Sequence, residues 1–165
     1  MLGLQNYLVV GLGGFLGAIA RLWVAEYIAQ RMGTRFPYGT FLINCSGSFA
    51  IGLVVTILDH YAHWTANWRY LLPIGFIGAY TTFSTFEFET LRSIQDGQFV
   101  VATANVTLSV VLGFACVYAG VVAGNSVVRF AAPATSVKAT ELNGGVYSTA
   151  APDLRAAENP QLASD

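Results

Sequence analysis

The stretch that decides the fold reads Gly75-Phe76-Ile77-Gly78-Ala79-Tyr80-Thr81-Thr82-Phe83-Ser84-Thr85-Phe86-Glu87-Phe88-Glu89. Four hydroxyl residues fall within five positions, just after two glycines, in a segment free of charge from residue 70 to 86. Ser and Thr compete for backbone hydrogen bonds and can bend a helix. The stretch has two readings. Either the helix breaks here, or it continues and its hydroxyls bond back to the preceding turn. A break inside a membrane exposes carbonyls, and these are tolerated only where protein or water covers them. Freed carbonyls at a helix C-terminal end suit a cation, and a half-helix N-terminal end suits an anion. The break is the reading favoured here.

Three further charge-free runs surround it, at residues 1–20, 36–58 and 97–128. A spanning helix needs roughly 20 predominantly apolar residues. Four spans follow, at about 4–28, 38–59, 69–92 and 98–125, so the fold class is an all-α membrane protein with its third helix broken near the middle. The composition agrees. Of 165 residues, 55% are hydrophobic and 10% charged, and mean hydropathy is +0.56. A soluble domain carries about 25% charged residues. A net charge of −1 excludes a basic nucleic-acid binder. Two cysteines without metal spacing exclude a disulfide scaffold. The apolar start lacks the basic region of a signal peptide and is kept as the first helix.

The connectors fit these limits. Arg31-Met32-Gly33-Thr34-Arg35-Phe36-Pro37 separates the first two spans, and Pro37 stands where a helix start tolerates it. Asp59 to Trp64 is a polar loop with an aromatic anchor. Gln95-Asp96-Gly97 is a tight turn. Residues 1–128 form the four-helix domain. Residues 129–165, rich in Ala, Pro, Ser and Thr after Phe130, read as a disordered tail. Asn44-Cys45-Ser46 and Asn105-Val106-Thr107 match a glycosylation pattern inside spans and are taken as chance.

Charges near the span ends number two on one face (Arg69, Arg129) against three on the other (Arg31, Arg35, Arg92). Such balance permits insertion in both senses and an antiparallel homodimer. Alternatively, a single residue sets the orientation.

Polar groups in lipid are the candidate functional residues. Arg21 lies well inside the first span, where a charge costs roughly 2.5–3.5 kcal/mol on insertion scales. It is an anion-attracting group or an interhelical clamp, or it simply snorkels to the interface that Arg31 and Arg35 mark; a structural role is favoured over ion contact. Asn44, Ser48 and Gly52 share one face of the second span. An unpaired amide there is costly, so Asn44 bonds another helix or lines a path. Its amide can donate to an anion without adding charge. Phe83 and Phe86 lie three apart, on one face of the second half-helix. Their positive ring edges could line an anion path, or they are ordinary apolar side chains. Glu87 and Glu89 stand at the span's end. Gly13 with Gly17, and Gly120 with Gly124, are small-xxx-small packing pairs. Cys45 and Cys116 sit in apolar surroundings and read as inert.

Together these stretches resemble the Fluc (CrcB) family of bacterial fluoride channels over about residues 1–128. The matching pieces are Gly17-Ala18-Ile19-Ala20-Arg21, Tyr38-Gly39-Thr40, Asn44, Ser46-Gly47-Ser48-Phe49, Gly75 to Phe86, Asn105-Val106 and Ser109 to Gly113. The resemblance implies a multi-pass protein of the bacterial inner membrane, built as a dual-topology antiparallel homodimer with two fluoride pores at the interface. It is a passive channel that lowers cytoplasmic fluoride, not an enzyme. It implies a central structural Na⁺ held by the carbonyls of Gly78 and Thr81. It implies a fluoride path along Asn44, Phe83, Phe86, Ser109, Thr82, Ser84 and Thr85, with Glu89 at the vestibule. Arg21 is carried over as a structural charge. Two other functions compete. A small multidrug exporter wants a carboxylate deep in the membrane, and Glu26, Glu87 and Glu89 lie near span ends. A structural membrane subunit would transport nothing. Periodicity alone does not select fluoride over another anion.

Overall fold

The computed structural model describes residues 3–61 and 66–131, and all its regular structure is helical. Three helices are long and apolar enough to cross a membrane: α1 (Leu4–Met32), α2 (Tyr38–His60) and α6 (Phe99–Ala131). At 1.5 Å rise per residue they measure about 43, 34 and 50 Å, against about 30 Å of hydrocarbon. The segment between α2 and α6, read above as the third span, is assembled from pieces. α3 (Ala66–Arg69) runs into a wide π-helical turn (Tyr70–Ile77), then α4 (Gly78–Tyr80), a gap, and α5 (Phe83–Gln95). The wide turn contains Pro73. Proline removes a backbone donor and crowds the preceding turn, and one added residue per turn relieves that crowding. The Gly78 N–H closes the wide ring on the Pro73 carbonyl.

Large side chains such as Phe15, Leu22, Phe114, Tyr118 and Phe130 stay exposed, while among the described residues the buried apolar side chains are Ile43, Leu58, Ile77, Ala102 and Val128. That distribution suits lipid, where outward apolar groups cost nothing and close backbone packing replaces a hydrophobic core. Glycines provide that packing. A Cβ at Gly13 would overlap the Leu71 carbonyl oxygen, and one at Gly17 the Phe76 carbonyl oxygen, so α1 lies directly on the π turn. On α6, a Cβ at Gly120 would overlap the Phe49 carbonyl oxygen, and one at Gly124 would meet Thr56 at 2.8 Å. The small-xxx-small reading of the sequence thus corresponds to two tight backbone approaches.

The turn read at Gln95-Asp96-Gly97 closes α5. Gly97 has φ +74°, and the Gln98 N–H reaches back to the Ser93 carbonyl at 2.8 Å. A glycine with positive φ there is the common way to end a helix. One boundary moves. Residues 129–131, assigned above to the tail, complete α6. Val128 is buried, and the helix continues one more turn past it. The charge-free run stops before Arg129, but a cation in the last turn of a helix is favourable and does not end it. The rest of the tail, and Ala62 to Trp64 of the second loop, lie outside the described residues.

Candidate functional site

The third span breaks at Thr81 and Thr82. Both are extended, with φ/ψ of −78°/157° and −152°/110°. Thr81 still belongs to the first half through bonds from its N–H and its Oγ1 to the Ile77 carbonyl, each 3.0 Å. Thr82 belongs to the second half as the cap of α5. Its Oγ1 accepts the Thr85 N–H at 3.4 Å and donates to Thr85 Oγ1 at 2.8 Å. The hydroxyl cluster therefore splits in function, Thr81 finishing one helix and Thr82 starting the next. A C-terminal and an N-terminal helix end, of opposite partial charge, lie three residues apart.

Asn44 holds this break open. Its Oδ1 accepts the Thr82 N–H at 2.9 Å, and its Nδ2 donates to the Thr82 carbonyl at 3.0 Å. One amide thus satisfies both backbone groups of an extended residue, as a neighbouring β-strand would. The consequence reaches back along the chain. The Thr82 N–H would otherwise bond the Gly78 carbonyl four residues earlier, and that carbonyl is left free of it. Asn44 keeps a second amide hydrogen, since an amide nitrogen carries two.

A cavity of about 310 Å³ opens beside the break. Asn44, Ser48, Thr81, Thr82, Phe83, Phe86 and Ser109 line it, with Gly47, Ile51, Ile77 and Val110. The structure brings together from α2, α5 and α6 most residues that the sequence singled out. The Phe83 and Phe86 rings lie 5.6 Å apart, tilted at 37°. Phe83 is 71% exposed, so its ring projects from the protomer. Ser84 and Thr85 do not line the cavity. Ser84 is exposed, and Thr85 bonds Thr82. Gly78 sits on the first half-helix, and a Cβ there would find its nearest neighbour, the Pro73 carbonyl oxygen, at 3.7 Å.

A second cavity, about 700 Å³, lies at the far end of α5. Glu89, Arg92, Ser93 and Asp96 line it with Thr34 to Thr40 of the first connector. Glu89 is half-buried against Thr40, and its Oε2 is covered yet makes no hydrogen bond. Arg21 lies in neither cavity. It is half-buried on α1, one turn beyond Gly17, and no salt bridge forms to it among the described residues.

Sequence reasoning missed a third group. Asn105 is 1% exposed; its Nδ2 donates to Thr90 Oγ1 at 2.8 Å, and its Oδ1 accepts from Ser109 Oγ at 3.4 Å. Thr90 donates in turn to the Phe86 carbonyl at 2.7 Å. This chain of bonds ties α6 to α5 between the two cavities. Its only signal in the sequence was an amide in lipid, the argument that singled out Asn44. Likewise Tyr80 Oη and Ser46 Oγ lie 2.9 Å apart, joining α2 to the first half-helix.

Among known proteins, residues 8–121 match the family described as CrcB-like protein, Camphor Resistance (CrcB). A protein of Acidobacterium capsulatum named Fluoride-specific ion channel FluC is 54% identical over 124 residues, covering 75% of this chain and 99% of that one. A protein of the same name from Solibacter usitatus is 46% identical over 116 residues, covering 70% of this chain and 95% of its own. In a third, from Oceanobacillus iheyensis, the figures are 42%, 118 residues, 72% and 90%. Three apolar membrane-length helices and ion-channel relatives make this a multi-pass membrane protein. A family match across most of the chain, with relatives aligned over nearly their full length, shows that it belongs to the CrcB family that its motifs resemble.

Proposed function

We propose that the chain is a passive fluoride-selective channel of the bacterial inner membrane, working as an antiparallel dual-topology homodimer with two pores at the interface. The observation that carries the reading is the broken third helix, clamped by Asn44, at a cavity whose lining holds amide, hydroxyl and aromatic groups and no formal charge. The relatives' names support the choice of ion. The segment from α3 through α5 supplies the third of four crossings, with α1, α2 and α6.

Fluoride sheds water only where donors of similar strength replace it. The free amide hydrogen of Asn44, the Ser109 hydroxyl and the N–H groups at the start of α5 are such donors, and the Phe83 and Phe86 edges extend them without a fixed cation. A hydroxyl or amide also accepts, but this lining offers no carboxylate to bind a cation in fluoride's place. Arg92 at the wider cavity is placed to gather anions ahead of it. Arg21 serves structure, away from both cavities.

The residues present fit a structural Na⁺ by their chemistry. The Gly78 carbonyl has lost its helical donor to Asn44, and the Thr81 carbonyl belongs to an extended residue. Both are neutral oxygens of the kind hard cations take. Two oxygens are too few for a closed shell, so a second protomer would have to double them. When bound, the ion would neutralise the negative end of the first half-helix.

The test is efflux from liposomes holding this protein alone, loaded with fluoride or with chloride. Fluoride release with chloride retained is the expected result. Retention of both would refute the channel. Release of a cationic dye driven by protons would move the protein to the exporter class.

A further inference from the structure

A groove of about 340 Å³ lies on the opposite end of the third span from α5, lined by Val55, Leu58, Arg69, Tyr70, Pro73 and Ile74. Its walls are apolar, and one charged pair sits at its mouth. Arg69 Nη2 donates to Asp59 Oδ1 at 2.8 Å and to the Leu58 carbonyl at 3.4 Å. The two side chains remain 51% and 60% exposed. The other guanidinium nitrogens and Asp59 Oδ2 make no bond among the described residues.

We infer that this groove binds one phospholipid with a zwitterionic phosphoethanolamine headgroup, its phosphate on Arg69, its ammonium on Asp59 and the start of an acyl chain in the groove. Charge complementarity selects that occupant. A positive and a negative group stand side by side at the mouth, and each has polar atoms without a partner among the described residues, suited to a ligand that carries both signs. Arg presents a planar fork suited to phosphate, and a primary ammonium can donate to a carboxylate where a quaternary one cannot. The depth fits as well. Asp59 to Val55, and Arg69 to Ile74, is four to five residues, or about 6–8 Å of helix beneath the charges. That is the level where headgroup gives way to hydrocarbon. The groove exists because the wide turn at Pro73 sets the backbone off an ordinary helical course. A second copy of the chain would have to bury this exposed ion pair, which is costly without further partners.

The inference stands apart from what the break conducts. The full-length protein, purified in mild detergent, is offered phosphatidylethanolamine, phosphatidylcholine and phosphatidylglycerol with identical acyl chains, and retained lipid is counted by native mass spectrometry. The ethanolamine lipid should be retained about fivefold over the other two. Asp59→Asn should erase its advantage over the choline lipid, and Arg69→Gln should lower retention of all three. Ile74→Trp, which fills the groove, should do the same while leaving oligomeric state and fluoride efflux unchanged. Equal retention of the three lipids by the unaltered protein would overturn the assignment, with no variant needed. So would a headgroup preference that survives both charge variants. If Ile74→Trp changes the oligomeric state and leaves lipid retention alone, the groove is a contact between copies and the assignment falls.

Discussion

Replacing Asn44 separates a brace from a bystander. In Asn44→Ala the Thr82 N–H and carbonyl both lose their partner. Thr82 is buried, with 9% of its surface exposed, so water replaces the lost bonds poorly. A buried backbone group left unsatisfied costs about 1–3 kcal/mol, giving about 2–6 kcal/mol for the pair. The chain has a cheaper alternative: the Thr82 N–H can return to the Gly78 carbonyl and regularise the helix. Even about 2 kcal/mol against the broken form reduces its population roughly 30-fold. Asn44→Asp is the finer probe. One oxygen still accepts the Thr82 N–H, while the other faces the Thr82 carbonyl across what was a 3.0 Å hydrogen bond. Fluoride efflux should fall at least tenfold in both variants, with thermal stability reduced further in Asn44→Ala than in Asn44→Asp. Efflux and melting temperature are measured on the same detergent-purified protein. Wild-type efflux together with a wild-type melting point in Asn44→Ala would refute the brace, because two buried groups cannot lose their only described partner without cost.

Four more outcomes follow from particular contacts. Phe83→Ile removes an exposed ring edge and no buried contact, so fluoride efflux should drop sharply while dimer content by size-exclusion chromatography stays unchanged. Gly17→Ala places a methyl group on the Phe76 carbonyl, and overpacking of this kind costs about 1–3 kcal/mol; chemical denaturation in detergent should show it. Gly78→Ala meets nothing closer than 3.7 Å within the protomer, so a loss of dimer in this variant, read by cross-linking, would locate Gly78 at the subunit contact, and full retention would remove it. Deleting residues 132–165 should leave fluoride efflux at the full-length rate, since the cavity-lining residues all lie before them.

Much of this was legible in the sequence because lipid imposes simple rules. Charge-free runs of sufficient length gave the three long helices, and a hydroxyl cluster after glycines gave the break to within a residue or two. Gly97 gave the turn after α5. What stayed hidden was pairing. Asn44 and Thr82 are 38 residues apart, and an amide in lipid announces that it needs a partner without saying which. Asn105 carried the same signal, and its bond to Thr90 across α5 and α6 could have been argued no further. Pro73 went unread in the sequence, and a proline alone does not say whether a kink, a break or a wide turn relieves it. The boundary near Arg129 was drawn at the end of the charge-free run, whereas a helix readily carries a cation in its last turn.

The lining of the break has a consequence for its electrical behaviour. Moving a full elementary charge through 100 mV is worth about 2.3 kcal/mol, which is how voltage sensors work. Asn44, Thr82, Phe83, Phe86 and Ser109 offer the field no such lever. A rearrangement among them displaces only dipoles, so in the proposed channel the membrane potential acts on the ion and hardly on this lining. The current at constant ion gradients should therefore scale with voltage without a threshold, in either polarity.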